Sequence, residues 1–163
     1  MKRLVLISLL FVFATCDIQD DRIWDFNNPN VCFFVKNAAG ENLLDPNVEG
    51  NILDNEITVD YNGQVFGMDS VQTRALPPVW YGLRVEPYSD VLDGTPVLKF
   101  GEFSPVEDYH GETFTINWGD DTSDEVKFDL YIKREPNVIK SLWFNGELLP
   151  KPTTLNFVLN IVK

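Results

Sequence analysis

Four carboxylates crowd into Gly119-Asp120-Asp121-Thr122-Ser123-Asp124-Glu125. Calcium takes six to eight oxygen ligands, so Asp120, Asp121, Asp124 and Glu125 are the side chains best suited to hold a cation of that kind. The EF-hand order of ligands is absent, however, and Asp and Ser build turns unaided. A solvated acidic turn is the plainer expectation. His110 is the single histidine. No Gly-x-Ser-x-Gly elbow supplies a serine for it to activate, and zinc needs several His or Cys ligands together. Tyr109-His110-Gly111 falls between predicted strands and reads as a loop. A glycosidase pair requires one carboxyl in a nonpolar pocket, and nothing marks two as partners. Trp24, Trp80 and Trp143 are candidates to stack on sugar rings, Trp80 standing beside Tyr81; buried tryptophan is the commoner fate. No catalytic residue and no obligatory cofactor are expected, so the chain reads as a non-enzyme.

These residues must be carried by strands. Val31 to Lys36 (VCFFVK) is the first, followed by a turn at Ala39-Gly40 and an irregular stretch, Leu43 to Asn55, in which Leu43 and Leu44 are candidate core residues. Glu56 to Tyr61 alternates and runs into Asn62-Gly63, with Gln64 to Met68 beyond. Asn-Gly between two such runs predicts a hairpin, because a type I′ turn needs positive φ at both central positions. Val79 to Glu86 and Val97 to Phe100 are further strands, separated by loops. Phe114, Ile116 and Trp118 alternate with Thr113, Thr115 and Asn117. After the acidic turn, Val126, Phe128, Leu130 and Ile132 alternate with Lys127, Asp129, Tyr131 and Lys133. Period two puts each apolar set on one face. Asn145-Gly146 predicts a second hairpin between Ile139–Phe144 and Glu147–Leu149, and Leu155 to Ile161 alternates again.

About nine short strands, and no helical period beyond the first residues, predict an all-β fold: an antiparallel β-sandwich. An immunoglobulin-like arrangement is one such sandwich, although the Cys…Trp…Cys pattern is missing. Cys32, between Val31 and Phe33, is expected to be a buried thiol acting as a small hydrophobe.

The first residues are of another kind. In MKRLVLISLLFVFATC, Lys2 and Arg3 precede an apolar run from Leu4 to Ala14. Eleven helical residues rise about 16 Å against a bilayer core of about 30 Å, too short to span. Charged start, apolar middle and small residues are the order of a secretory signal. With Ala14 and Thr15 before a cysteine, the segment resembles a bacterial lipoprotein signal, although Phe13 stands where leucine is usual and Thr15 where glycine or alanine is usual. The resemblance implies that Cys16 becomes the first mature residue, carrying acyl chains of the palmitate kind. Two such chains give stable attachment at about 0.8 kcal/mol per buried methylene. Asp17, Gln19, Asp20 and Asp21 follow at once. An acidic stretch in that place resembles the export signal of Bacteroidetes surface lipoproteins, which implies the outer face of the outer membrane; enterobacterial rules would read Asp17 as inner-membrane retention.

The expected organisation is therefore a signal over 1–15, an acidic tether over 16–30 and a single β-domain over 31–163. Removing 15 of 163 residues leaves 148, one domain's length. With Lys2 and Arg3 gone from the 13 basic residues, 11 remain against 25 acidic, a formal charge of −14. Nucleic acid and anionic lipid surfaces are repelled by such a field.

The run Phe34-Val35-Lys36-Asn37-Ala38-Ala39-Gly40-Glu41-Asn42-Leu43-Leu44-Asp45-Pro46, with the later Trp118-Gly119-Asp120-Asp121-Thr122-Ser123-Asp124, resembles a family of small Bacteroidetes lipoproteins with no assigned activity. The resemblance implies anchoring and an all-β domain, with no reaction and no catalytic residues. The function expected is a membrane-anchored surface lipoprotein whose non-enzymatic domain binds a protein or glycan or serves as an accessory subunit. The alternative is a carbohydrate-binding or carbohydrate-processing component, assisted by calcium.

Overall fold

The computed structural model describes residues 28–68, 82–88, 94–104, 107–132, 138–151 and 156–163. Within them the chain is all β, with no helix. Its ten strands are β1 (Val31–Lys36), β2 (Thr58–Tyr61), β3 (Gln64–Phe66), β4 (Leu83–Pro87), β5 (Pro96–Phe100), β6 (Tyr109–Asn117), β7 (Ser123–Ile132), β8 (Val138–Phe144), β9 (Glu147–Leu148) and β10 (Phe157–Val162). One sheet has the order β10-β1-β5-β4 and the other β3-β2-β6-β7-β8-β9. All pairings are antiparallel except β1 with β10, which run parallel. The two sheets pack face to face as a sandwich.

Both Asn-Gly hairpins form as the turn chemistry requires. Asn62 and Gly63 have φ of 51° and 76°, and Asn145 and Gly146 have φ of 49° and 81°, the left-handed pair that a type I′ turn demands. Alternation in β6 and β7 also translates directly. Phe114, Ile116, Val126, Phe128 and Leu130 are buried and face the other sheet. Rings from the two sheets then meet. Phe33 lies edge-on to Trp118 and Phe114, Phe100 is 4.8 Å from Phe114, and Phe157 is 5.3 Å from Phe128. Each such pair adds about 0.5–1.5 kcal/mol beyond the area it buries.

β1 does not alternate because its sheet is covered on both faces. Val31, Phe33 and Val35 face the main core, while Cys32 joins Tyr88 and Val97 in a second cluster on the outer side. Cys32 is fully buried with its thiol unbridged, as a small hydrophobe should be; its S–H points to Asn30 Oδ1 at 3.4 Å.

In two places the strands differ from the sequence pattern. β6 begins at Tyr109, so His110 lies in a strand and not in a loop. A bulge between Tyr109 and Glu112 hides the period there, with Gly111 at φ 65° and its N–H donating to Asp129 Oδ1 at 2.7 Å. β7 begins at Ser123, which moves Asp124 and Glu125 out of the acidic turn and onto a strand.

The irregular stretch after β1 is held as expected by Leu43 and Leu44, both buried, with Ile52 and Ile57. Its backbone is folded by side chains: Asn42, Asp45 and Asn51 each accept from the N–H two residues on.

Phe100 is fully buried and touches the rings of Tyr61, Phe66, Phe103 and Phe114. Phe100→Ala should cost about 3–5 kcal/mol in urea unfolding, with Phe100→Leu recovering most of it. A loss below about 1 kcal/mol, the range of a surface change, would show that the ring layer does not carry the fold.

Candidate functional site

β6 ends by placing Trp118 in the core, 1% exposed, and the chain must then reverse. Trp118 N–H donates to the Thr122 carbonyl at 3.0 Å, Thr122 N–H donates to Asp120 Oδ1 at 3.0 Å, and Gly119 and Asp121 take φ of 72° and 62°. The indole N–H of a buried tryptophan needs an acceptor. Asp124, on the row of β7 that carries Val126 and Phe128 inward, supplies it at 2.7 Å. Its other oxygen accepts from Asn145 Nδ2 at 2.8 Å, and Asn145 Oδ1 accepts from Glu125 N–H at 2.8 Å. Asp124 thus ties the β6–β7 turn to the β8–β9 turn.

Asp120 has a different partner. Lys163 Nζ lies 3.3 Å from Asp120 Oδ2, donates to the Thr122 hydroxyl, and sits 4.9 Å from the centre of the Trp118 ring. The Thr122 hydroxyl donating to Asp120, with Lys163 beside it, holds that carboxyl below the usual carboxylate range. The four carboxylates singled out in sequence are therefore not one ligand set. Asp120 meets Lys163, Asp121 faces a groove, Asp124 lies under Trp118, and Glu125 stands on the other face of β7. Among the described residues no three His, Cys, Asp or Glu side chains gather to hold an ion.

An open groove lies beside this turn. It encloses about 580 Å³ and runs between the loop residues Asp54, Asn55 and Glu56 and the turn residues Asn117, Gly119, Asp121, Thr122 and Ser123. Its walls are fixed by tertiary bonds. Asn55 Nδ2 donates to the Trp118 carbonyl at 3.1 Å, and Asn117 Nδ2 donates to Asp60 Oδ2 at 3.0 Å. Gly119 approaches so closely that a Cβ there would stand 2.8 Å from Glu56 N and 3.2 Å from Asn55 Cβ. Asp54, Glu56 and Asp121 are exposed, so the groove offers water-accessible carboxylates beside amide and hydroxyl groups. Such a lining attracts cations and can hydrogen-bond a polyhydroxylated ligand.

The remaining sequence candidates lie apart. His110 is exposed, its ring 4.7 Å from that of Tyr131. Trp143 is half-buried on the outer face of the larger sheet with Lys127 Nζ 4.9 Å from its ring centre. At the other side of the core, Tyr61 donates to Glu112 Oε2 at 2.9 Å, and burial with that bond pushes its hydroxyl pKa well up. Cys16, Asp17, Gln19, Asp20, Asp21, Trp24, Trp80 and Tyr81 lie outside the described residues. The loop wall of the groove was missed in sequence, since Asp54 to Glu56 carry no local signal of meeting Gly119 more than sixty positions away. The glycine itself, wedged between a core tryptophan and two acids, was the available clue.

No protein-family model, curated protein or solved structure matches this chain.

Gly119→Ala should destabilise the domain more than Gly63→Ala. Both pay about 1–2 kcal/mol for a left-handed non-glycine backbone, but Gly63 has open space around it and Gly119 does not. Equal melting shifts would mean that the 54–56 loop moves aside freely and the groove wall is not fixed.

Proposed function

We propose that this chain is a lipid-anchored surface lipoprotein whose β-sandwich is a non-enzymatic binding or accessory domain, with the acidic groove as its contact surface. The supporting observation is the groove itself. Its rigid walls, built by Asn55, Asn117 and Gly119, present exposed carboxylates and amides at one end of the sandwich, an arrangement suited to holding a polar or cationic group. The anchoring half of the reading rests on Cys16 after the apolar run, followed by Asp17, Gln19, Asp20 and Asp21, and puts the domain outside the outer membrane. The formal charge of −14 on the processed chain, 11 basic against 25 acidic residues, favours solvated, non-nucleic-acid surroundings.

A second reading, a carbohydrate-binding or carbohydrate-processing component assisted by calcium, draws on the same lining. Hydroxyl-rich ligands are recognised by carboxylate and amide groups, and the exposed carboxylates of Asp54, Glu56 and Asp121 give the groove a field that attracts cations without forming a closed ligand set.

Cys16→Ser should release the protein from the membrane fraction and leave the leader uncut and without acyl mass; a variant still pelleting with membranes would end the anchoring reading. For the groove, melting of the protein with calcium and with a glycan panel separates the two readings. A rise in Tm that is lost in Asp54→Asn/Asp121→Asn supports the second, and no rise with any of them leaves the first.

A further inference from the structure

Among the described residues four strand edges close the two sheets, and three are blunted by familiar devices. β3 has three residues and β9 two, too short to template another strand. β4 carries Arg84 and Glu86, ends at Pro87, and is bridged at Leu83 to Met68. β10 has none of these protections. Its six residues, Phe157–Val162, include no charge and no proline.

β10 pairs with β1 over its whole length. Phe157 N–H donates to the Asn30 carbonyl and Lys163 N–H to the Lys36 carbonyl, both at 2.9 Å. The N–H and C=O of one strand residue point to the same side, and successive residues to opposite sides. The odd-numbered residues therefore face β1, and Val158, Asn160 and Val162 turn three N–H and three C=O groups away from it. Among the described residues no strand pairs with that side. The side chains of the same three residues lie on the outer face of the sheet. Asn160 is exposed, and Val162, 71% exposed, is the most exposed large apolar side chain among the described residues.

We propose that β10 is the docking edge for a second copy of this chain, β10 pairing antiparallel with β10 of the copy about a two-fold axis at Asn160. The sequence of the edge is self-complementary in that register. Asn160 meets Asn160 of the copy, and Val158 meets Val162 twice, so amide faces amide and apolar faces apolar. Each facing pair is of the kind that exchanges two backbone hydrogen bonds, and the six outward groups on each copy are all satisfied. A two-fold interface uses one patch twice, which is what a palindromic Val-Asn-Val edge provides.

Charge favours the same occupant. From Leu148 to Lys163 there is no Asp or Glu, in a chain of net charge −12. The repulsion between two copies is therefore weakest along this edge. Lys163 at its end is already engaged by Asp120 and Thr122, and β10 itself carries no charge, so neutral backbone meets neutral backbone. Edge pairing of this length buries less than a standard interface, so the dimer depends on concentration. It should also strengthen with salt, because screening removes the self-repulsion of two acidic bodies.

The test uses the full chain. Sedimentation across a wide concentration range should show a monomer–dimer equilibrium that shifts to dimer as ionic strength rises, with Asn160→Lys abolishing the dimer while leaving the melting temperature near that of the parent. Facing Cα atoms in such a pair stand about 5.5 Å apart, within the roughly 4.4–6.8 Å span of a disulfide. On mild oxidation Asn160→Cys should then give a covalent species of twice the chain mass. Val65→Cys, also exposed but on β3, should not, and the parent with Cys16 and Cys32 serves as the blank. A parent monomeric at every concentration and salt overturns the proposal, as does a Val65→Cys variant that cross-links as readily. Cross-linking of Asn160→Cys to a different protein in place of its own copy overturns the choice of occupant. Should Asn160→Lys fail to fold, the cysteine pair still decides.

Discussion

The rings between the sheets are the contact on which the rest depends. Phe33, Phe100 and Phe157 project from the smaller sheet, Phe114, Phe128 and Trp118 from the larger side, and they meet edge-on or tilted at centroid distances of 4.8–6.4 Å. With no disulfide among the described residues, stability comes from this layer and the aliphatic residues around it. Aromatic rings suit the task because their edges and faces are oppositely polarised, so they fix the spacing and angle of two sheets more narrowly than aliphatic chains do.

Trp118 connects that layer to the surface. Its ring packs on Phe33, its N–H binds Asp124, its carbonyl accepts from Asn55, and its outer side lies under Lys163. One residue thus belongs at once to the core, the acidic turn, the loop wall of the groove and the end of β10. The consequence is a groove whose shape is inherited from the core. Loops built this way lose less entropy on binding than free ones, because their side chains are ordered beforehand.

The two sheets treat solvent differently. The larger sheet keeps one wet face, on which Lys127, Glu125 and Asp129 alternate with buried residues. The smaller sheet is covered on both faces over β1 and β5 and ends in the uncharged β10. Exposed carboxylates of Asp54, Glu56 and Asp121 line the groove, and none occurs in the last sixteen residues. An acidic end suited to cations or polyols and a neutral edge suited to backbone pairing are separate surfaces on one sandwich.

Much of this was fixed locally. Period-two alternation set the inward rows of β6, β7 and β10, and Asn62-Gly63 and Asn145-Gly146 set two hairpins, because positive φ at consecutive residues is a property of those residue types wherever they stand. Burial of Cys32, Leu43, Leu44 and Trp118 followed from composition and spacing. What sequence could not yield were pairings between distant residues: the parallel union of first and last strands, the bulge that makes His110 a strand residue, and the extension of β7 that separates Asp124 from Asp120. The same limit applies to function. An acidic run reads as one ligand set when only spacing is known, but partners come from elsewhere in the chain, and here Lys163, Asn145 and a core indole divide those carboxylates among structural tasks while Asp54 and Glu56, distant in sequence, join Asp121 at the groove.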